Sequence, residues 1–251
     1  KAVEAPPVKQ TRPLPSGRVV LLTDDGRGIA FALAEKLRSR GNRVALVRYG
    51  ESSANTDPYS YRLEDSSSES ITAVVDAIRR EQGAFGGLIH LLPLRDWGDF
   101  EQMDLSGWRE RLQLDVRTLF HFFKVLENDL KQATGEGGGF VVSATGLGGG
   151  FASEPALRPP GFFPGNGAIP GLLKTLAMEW PDIRVKAVDL LLEEPASDLA
   201  EHLMAEIRAE DGIVEVGYRG PKRLYLGLEE TRLADRTEKA LAIDSSWVIL
   251  V

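Results

Sequence analysis

Apolar positions along the chain follow two alternating rhythms. Short unbroken apolar runs stand at residues 18–23 (RVVLLT), 43–47, 87–92 (GLIHLL), 140–143 and 183–191, each bounded by turn-forming residues. Such runs predict buried strands. Between them the apolar spacing changes to three and four. Ile29, Leu33 and Leu37, with Ala30 and Ala34 beside them, predict a helix over 28–40 that Gly41 ends. Ile71, Val74, Val75 and Ile78 predict a helix over 69–81. Residues 104–131 read as one long helix carrying Trp108, Leu112, Val116, Leu119, Phe120, Phe123 and Leu126. The clearest period belongs to 167–180, with Ile169, Leu172, Leu173, Leu176, Ala177 and Trp180 on one face. A last helix is expected at 196–209 and a short strand at 59–63. Residues 214–218 and 223–228 alternate apolar and polar around Arg219-Gly220-Pro221, the pattern of an antiparallel hairpin.

Strands alternating with helices predict an α/β fold of three layers, a doubly wound, Rossmann-like parallel sheet with the C-terminal hairpin at one edge. Residues 1–16 hold four prolines and no apolar stretch, and read as a linker rather than a signal peptide. The domain itself is expected over 17–228, a second linker over 229–246, and a strand at 247–251. That closing Trp-Val-Ile-Leu-Val echoes the opening strand. It is either the first strand of a following unit or an ordinary edge strand.

Composition narrows the function. A net charge of −7 argues against a nucleic-acid surface, and the absence of cysteine removes disulfides and thiolate metal sites. His90, His121 and His202 show no metal-ligand spacing. No apolar run reaches the ~20 residues that span a bilayer, so a cytoplasmic chain with no membrane partner is expected. There is no G-x-S-x-G elbow and no phosphate-binding loop ending in Gly-Lys-Ser or Gly-Lys-Thr. Glu193-Glu194 and Glu229-Glu230 are expected to be solvated, and Trp97, Trp108, Trp180 and Trp247 to fill core or edge.

The turn after the first strand, Thr23-Asp24-Asp25-Gly26-Arg27-Gly28-Ile29-Ala30, is where a dinucleotide-binding fold needs glycines. It resembles the T-G-x-x-x-G-I-G turn of short-chain dehydrogenases. Thr23, Gly28 and Ile29 match, while Asp24 and Ala30 replace glycines. Two carboxylates at a helix N-terminus stand where a pyrophosphate belongs, so the turn is expected to be capped by its own aspartates. In that family a Tyr is the proton donor, a Lys four residues on lowers its pKa, a Ser orients the substrate and an Asn holds a relay water. Here Lys174 is kept, but Pro170 takes the tyrosine place and Arg117 the asparagine place. Ser143 or Thr145 keeps the hydroxyl.

Residues 171–181 (GLLKTLAMEWP) and 215–223 (EVGYRGPKR) are similar to segments of the ketoreductase regions of iterative polyketide synthases and polyunsaturated fatty acid synthases. The resemblance covers about residues 17 to 251. It implies a structural first half, with no catalytic, cofactor-binding or metal residue of its own, before a second half that binds NADPH and reduces a β-keto group on an acyl carrier protein. Two other readings stand beside it. One is a divergent NADP-dependent reductase using Lys174, Ser143 and Thr145, with Arg48 beside a 2′-phosphate. The other is a carrier-protein docking platform built on Arg219, Lys222 and Arg223.

Overall fold

The computed structural model describes residues 1–50, 57–154, 158–159, 161–228 and 230. Nine strands form one sheet: β1 Ala2–Glu4, β2 Val19–Thr23, β3 Arg43–Tyr49, β4 Ser60–Leu63, β5 Phe85–His90, β6 Phe140–Thr145, β7 Arg184–Leu190, β8 Glu215–Arg219 and β9 Lys222–Leu226. Their order is β1-β9-β8-β7-β6-β5-β2-β3-β4. All neighbours from β4 to β8 pair in parallel; β8 with β9 and β9 with β1 are antiparallel. Among the described residues there are six α-helices: α1 Ile29–Ser39, α2 Ser68–Gln82, α3 Leu105–Leu112, α4 Thr118–Ala133, α5 Ala168–Glu179 and α6 Ala196–Arg208. Helices α2, α4 and α5 bury one face of the sheet and α1 and α6 the other, giving two apolar cores. The expected doubly wound fold and its terminal hairpin are both present. In that hairpin Gly220 takes φ 54, the left-handed region a two-residue turn requires.

Two expectations need correction. Residues 1–16 do not run free as a linker: Ala2–Glu4 pairs with β9, Thr11 bridges to Ala209, and the Arg223 guanidinium donates to the Pro6 carbonyl at 2.9 Å. The long helix expected over 104–131 is continuous but not regular: a π-helical stretch, Gln113–Arg117, lies between α3 and α4. Its cause is local. The Thr118 hydroxyl donates back to the Leu114 carbonyl, and His90 Nε2 donates to the Asp115 carbonyl at 3.0 Å. These side chains draw two carbonyls away from regular helical bonding. The strand expected at 247–251 and the linker before it lie outside the described residues, Glu230 excepted; Glu230 is exposed.

A buried charge network fastens the hairpin edge. Glu206 accepts two bonds from Arg223, at 2.6 and 3.0 Å, one from the Tyr218 hydroxyl at 2.6 Å, and faces Lys186 at 3.3 Å. Asp211 pairs with both Lys186 and Arg223. Arg223 is therefore not available to a partner, and Arg219 is held by the Gly148 carbonyl and Glu154. Of the three basic residues considered for a docking patch, Lys222 alone is exposed.

Candidate functional site

The strand order reverses between β2 and β5, so ligands of such a sheet are expected beyond the carboxyl ends of these strands. Thr23 closes the sheet there, its buried hydroxyl oxygen accepting from the amides of Leu91 at 2.7 Å and Leu92 at 3.2 Å. The next turn leads into α1, whose N-terminal amides are the donors a bound phosphate would use. One internal group engages the first two of them and an amide of the turn. The Asp25 carboxylate, 1% exposed, accepts from Ala30 N at 2.7 Å, Arg27 N at 3.0 Å and Ile29 N at 3.2 Å. Burial raises its carboxyl above the ordinary value, against the pull of these three amides. The expected cap is thus real, and Asp25 alone provides it. Asp24 turns the other way, accepting from Gly26 N at 3.0 Å and facing Arg48 Nε at 3.4 Å. Arg48, considered for a 2′-phosphate, is paired within the chain.

The positions considered for catalysis are also engaged internally. Pro170 is buried in the first turn of α5, where its missing N–H costs nothing. Lys174 lies one turn later, exposed, with Nζ 3.0 Å from Glu215 of β8. Ser143 is fully buried and donates to the His90 carbonyl at 3.1 Å. Thr145 donates to Asp189 at 2.8 Å. Arg117 is exposed at the end of the π-turn.

Asp189 organises the loop after β6. Besides Thr145 it accepts from Leu147 N at 2.6 Å and Phe151 N at 2.7 Å, and burial pushes its carboxyl up to about 6. The loop it holds places Phe151 and Ala152 at φ 54 and 52. These left-handed, non-glycine conformations are strained and need such anchoring. Glu194, expected to be solvated, is half-buried and accepts from Gly220 N at 2.7 Å and pairs with His202 at 3.2 Å.

A cleft of about 860 Å³ remains open beside the closed turn. Arg27, Pro93, Gly146 and Leu192 bring to it the ends of β2, β5, β6 and β7, and the loop around Phe163 forms its far wall. The wall includes Arg111, whose Nε pairs with the buried Asp115 Oδ2 at 3.3 Å. Burial outweighs Arg111 and pushes the Asp115 carboxyl up to about 7; burial holds His90 neutral, at about 4. Sequence reading missed Arg111, Asp115, Asn166 and Asp189, and took Trp97 for a filler although it lines the cleft. The available signal was charged residues at inward helix or strand positions. Among the described residues no acidic or histidine cluster could hold a metal, and no helix is long and apolar enough to cross a membrane.

Residues 24–190 match the family described as Enoyl-(Acyl carrier protein) reductase. The protein named Probable galactose dehydrogenase GalD, of Rhizobium meliloti, is 26% identical over 184 residues, covering 68% of this chain and 70% of that protein. Among solved structures, a multidomain adenylation, ketoreductase and pseudo-Asub structure of a keto acid-selecting NRPS module superposes with a TM-score of 0.70 at 17% identity. It covers 89% of this chain, which spans 18% of that longer one. A 3-ketoacyl-(acyl-carrier-protein) reductase from Brucella melitensis, complexed with NADH, superposes at 0.60 with 18% identity, covering 76% and 91%. A metagenomic short-chain oxidoreductase in complex with NADP superposes at 0.61 with 19% identity, covering 80% and 96%.

Proposed function

The chain belongs to the enoyl-(acyl carrier protein) reductase family of short-chain dehydrogenase folds, and from that premise we propose that it is a non-catalytic structural subdomain. In this reading it braces an NADPH-dependent β-ketoacyl reductase half within a cytoplasmic polyketide or fatty acid synthase. One observation carries the proposal: the Asp25 carboxylate engages the amides of Arg27, Ile29 and Ala30, at the entry to α1 where a pyrophosphate would be received. A diphosphate brought there would meet a carboxylate and three amides already engaged, so the turn does not fit a dinucleotide. Absence of a proton donor at Pro170, the Lys174–Glu215 pair and the internal commitments of Ser143 and Thr145 support the same conclusion. The reductase half and its NADPH belong to the proposal, as does any docking of an acyl carrier protein.

A second reading, a divergent NADP-dependent reductase, draws support from the open cleft and from similarly folded proteins solved with NADP and NADH. Calorimetric titration of NADPH separates the two. The structural reading expects no binding in the micromolar range and no NADPH oxidation with a β-ketoacyl thioester unless the downstream half is added. Micromolar binding, or turnover by this chain alone, overturns it.

A further inference from the structure

We propose that the open cleft is a binding site for a small carboxylate carried on a flat apolar body, held by the Arg111 guanidinium and the Trp97 indole N–H. The proposal rests on the reading that no dinucleotide fills the cleft. Arg111 stands in the cavity wall, 5% exposed, with its guanidinium 4.2 Å from the centroid of the Phe163 ring. Its Nε meets Asp115, while Nη1 has no hydrogen-bond partner. A guanidinium does not shed its proton. The carboxyl that faces it is pushed up to about 7 by burial, so its counter-charge is incomplete at neutral pH. A buried cation in this state is unfavourable until an anion reaches it.

The same wall offers two further unpartnered groups. Trp97, on the loop after β5, lines the cavity, and its Nε1 has no acceptor. An indole N–H is a donor only. Asn166 is 2% exposed and its Oδ1 has no donor, which suits a hydroxyl or N–H placed beside the carboxylate. The apolar body follows from the rings. Phe163 is met edge-on by Phe100 at 5.6 Å and Trp108 at 6.3 Å, and Phe100 and Phe162 line the cleft with it.

Other charges around the cleft do not replace this one. Arg27 donates to the Leu94 carbonyl, Arg95 lies over Tyr49 and Arg158 over Phe162. The acids Asp96, Asp99, Glu101 and Glu193 are all exposed, and Asp96 faces Arg27 at 3.8 Å. The acids therefore sit in water at the rim while the cation sits in the wall. A cavity of about 860 Å³ falls in the range that encloses a small organic molecule.

The test is calorimetric titration of the chain with 1-naphthoate, with 1-naphthalenemethanol as the neutral probe of the same shape. Naphthoate is expected to bind at sub-millimolar Kd and the alcohol at least about tenfold more weakly, the worth of one charge-assisted hydrogen bond. The double variant Arg111→Met with Asp115→Asn removes the buried pair together and keeps its volume. It should lose about tenfold for naphthoate and leave the alcohol unchanged. Trp97→Phe, on a loop outside both cores, should lose about threefold. No naphthoate heat at millimolar concentration, equal binding of the two probes, or wild-type binding by the double variant overturns the proposal. NADPH is titrated in parallel. Micromolar NADPH binding overturns the non-catalytic reading, and naphthoate failure alone overturns only the carboxylate site.

Discussion

Replacing Asp25 by Ala tests the closed turn where it matters most. Three backbone amides, at 2.7, 3.0 and 3.2 Å from the carboxylate, would lose their acceptor at a position that is 1% exposed. Bonds to a charged acceptor contribute ~1.5–3 kcal/mol each when lost, and buried donors without partners add to that cost. Against this stands the burial of the carboxylate, which outweighs the amides and holds the carboxyl above its ordinary value. The balance for Asp25→Ala is a loss of about 2–3 kcal/mol, at or slightly above the upper end for an N-cap. Asp25→Asn keeps one acceptor oxygen and should lose about half as much. Urea unfolding reads this as a lower midpoint at an unchanged slope. The freed amides should also make Asp25→Ala gain more stability than the wild type when chloride is exchanged for phosphate, which as a kosmotrope stabilises both. A loss below about 0.5 kcal/mol, with no extra phosphate effect, would mean the amides never depended on Asp25, and the reasoning would fall.

Glu206→Ala leaves Arg223 and Lys186 with Asp211 as their remaining shared counter-charge and the Tyr218 hydroxyl without its acceptor, and should cost about 2–4 kcal/mol in urea unfolding. The segment before β2, tied through Arg223 to Pro6, should become open to limited proteolysis. Gly87→Ala places a methyl group 2.1 Å from Phe140 Cζ inside a closed core, so thermal unfolding should show a loss of about 1–3 kcal/mol. No measurable loss would mean that the ring has room to turn. Asp115 has a folded carboxyl at about 7 against an ordinary value of 3.8, so its contribution to stability is complete below 3.8 and lost as pH rises through about 7. Asp115→Asn stays neutral and should gain on the wild type across that window, then level off; a flat difference between the two profiles refutes the shift.

The fold could be read from sequence because its strands and helices are written in local periodicity. The run Val19–Thr23 is buried at every residue, and Ile29, Leu33 and Leu37 of α1 all face the core. What escaped reading depends on partners far along the chain. Ala2–Glu4 is a strand only because Leu224 to Leu226 offer an edge to it. The π-helical stretch at Gln113–Arg117 is made in part by His90, a residue of β5, which no helical period in 104–131 can reveal. The site divides in the same way. Two acids in the turn announced a cap, but only the fold distinguishes Asp25, turned onto α1, from Asp24, turned onto Arg48. Arg111 looks like one more charged helix residue until Phe163 covers it.

The closed turn and the open cleft fit one physical account. A helix N-terminus left free for a phosphate makes the domain's stability depend on how much ligand is present, because a ligand bound only by the folded state stabilises it by mass action. With Asp25 in place the same amides are satisfied from within the chain at every ligand concentration. The Glu206 network acts in the same direction at the other edge of the sheet, joining β7, β8, β9 and α6 through groups the chain itself supplies. A subdomain whose task is to brace a catalytic neighbour needs that independence, since its shape must hold whether or not cofactor is bound next door. A reductase gains nothing by it, because the donors it spends on its own carboxylate are the ones its cofactor requires. Measuring the NADPH dependence of the thermal midpoint therefore distinguishes the two roles directly. The bracing role expects no shift in the midpoint of this chain, and a rise that grows with NADPH concentration would contradict it.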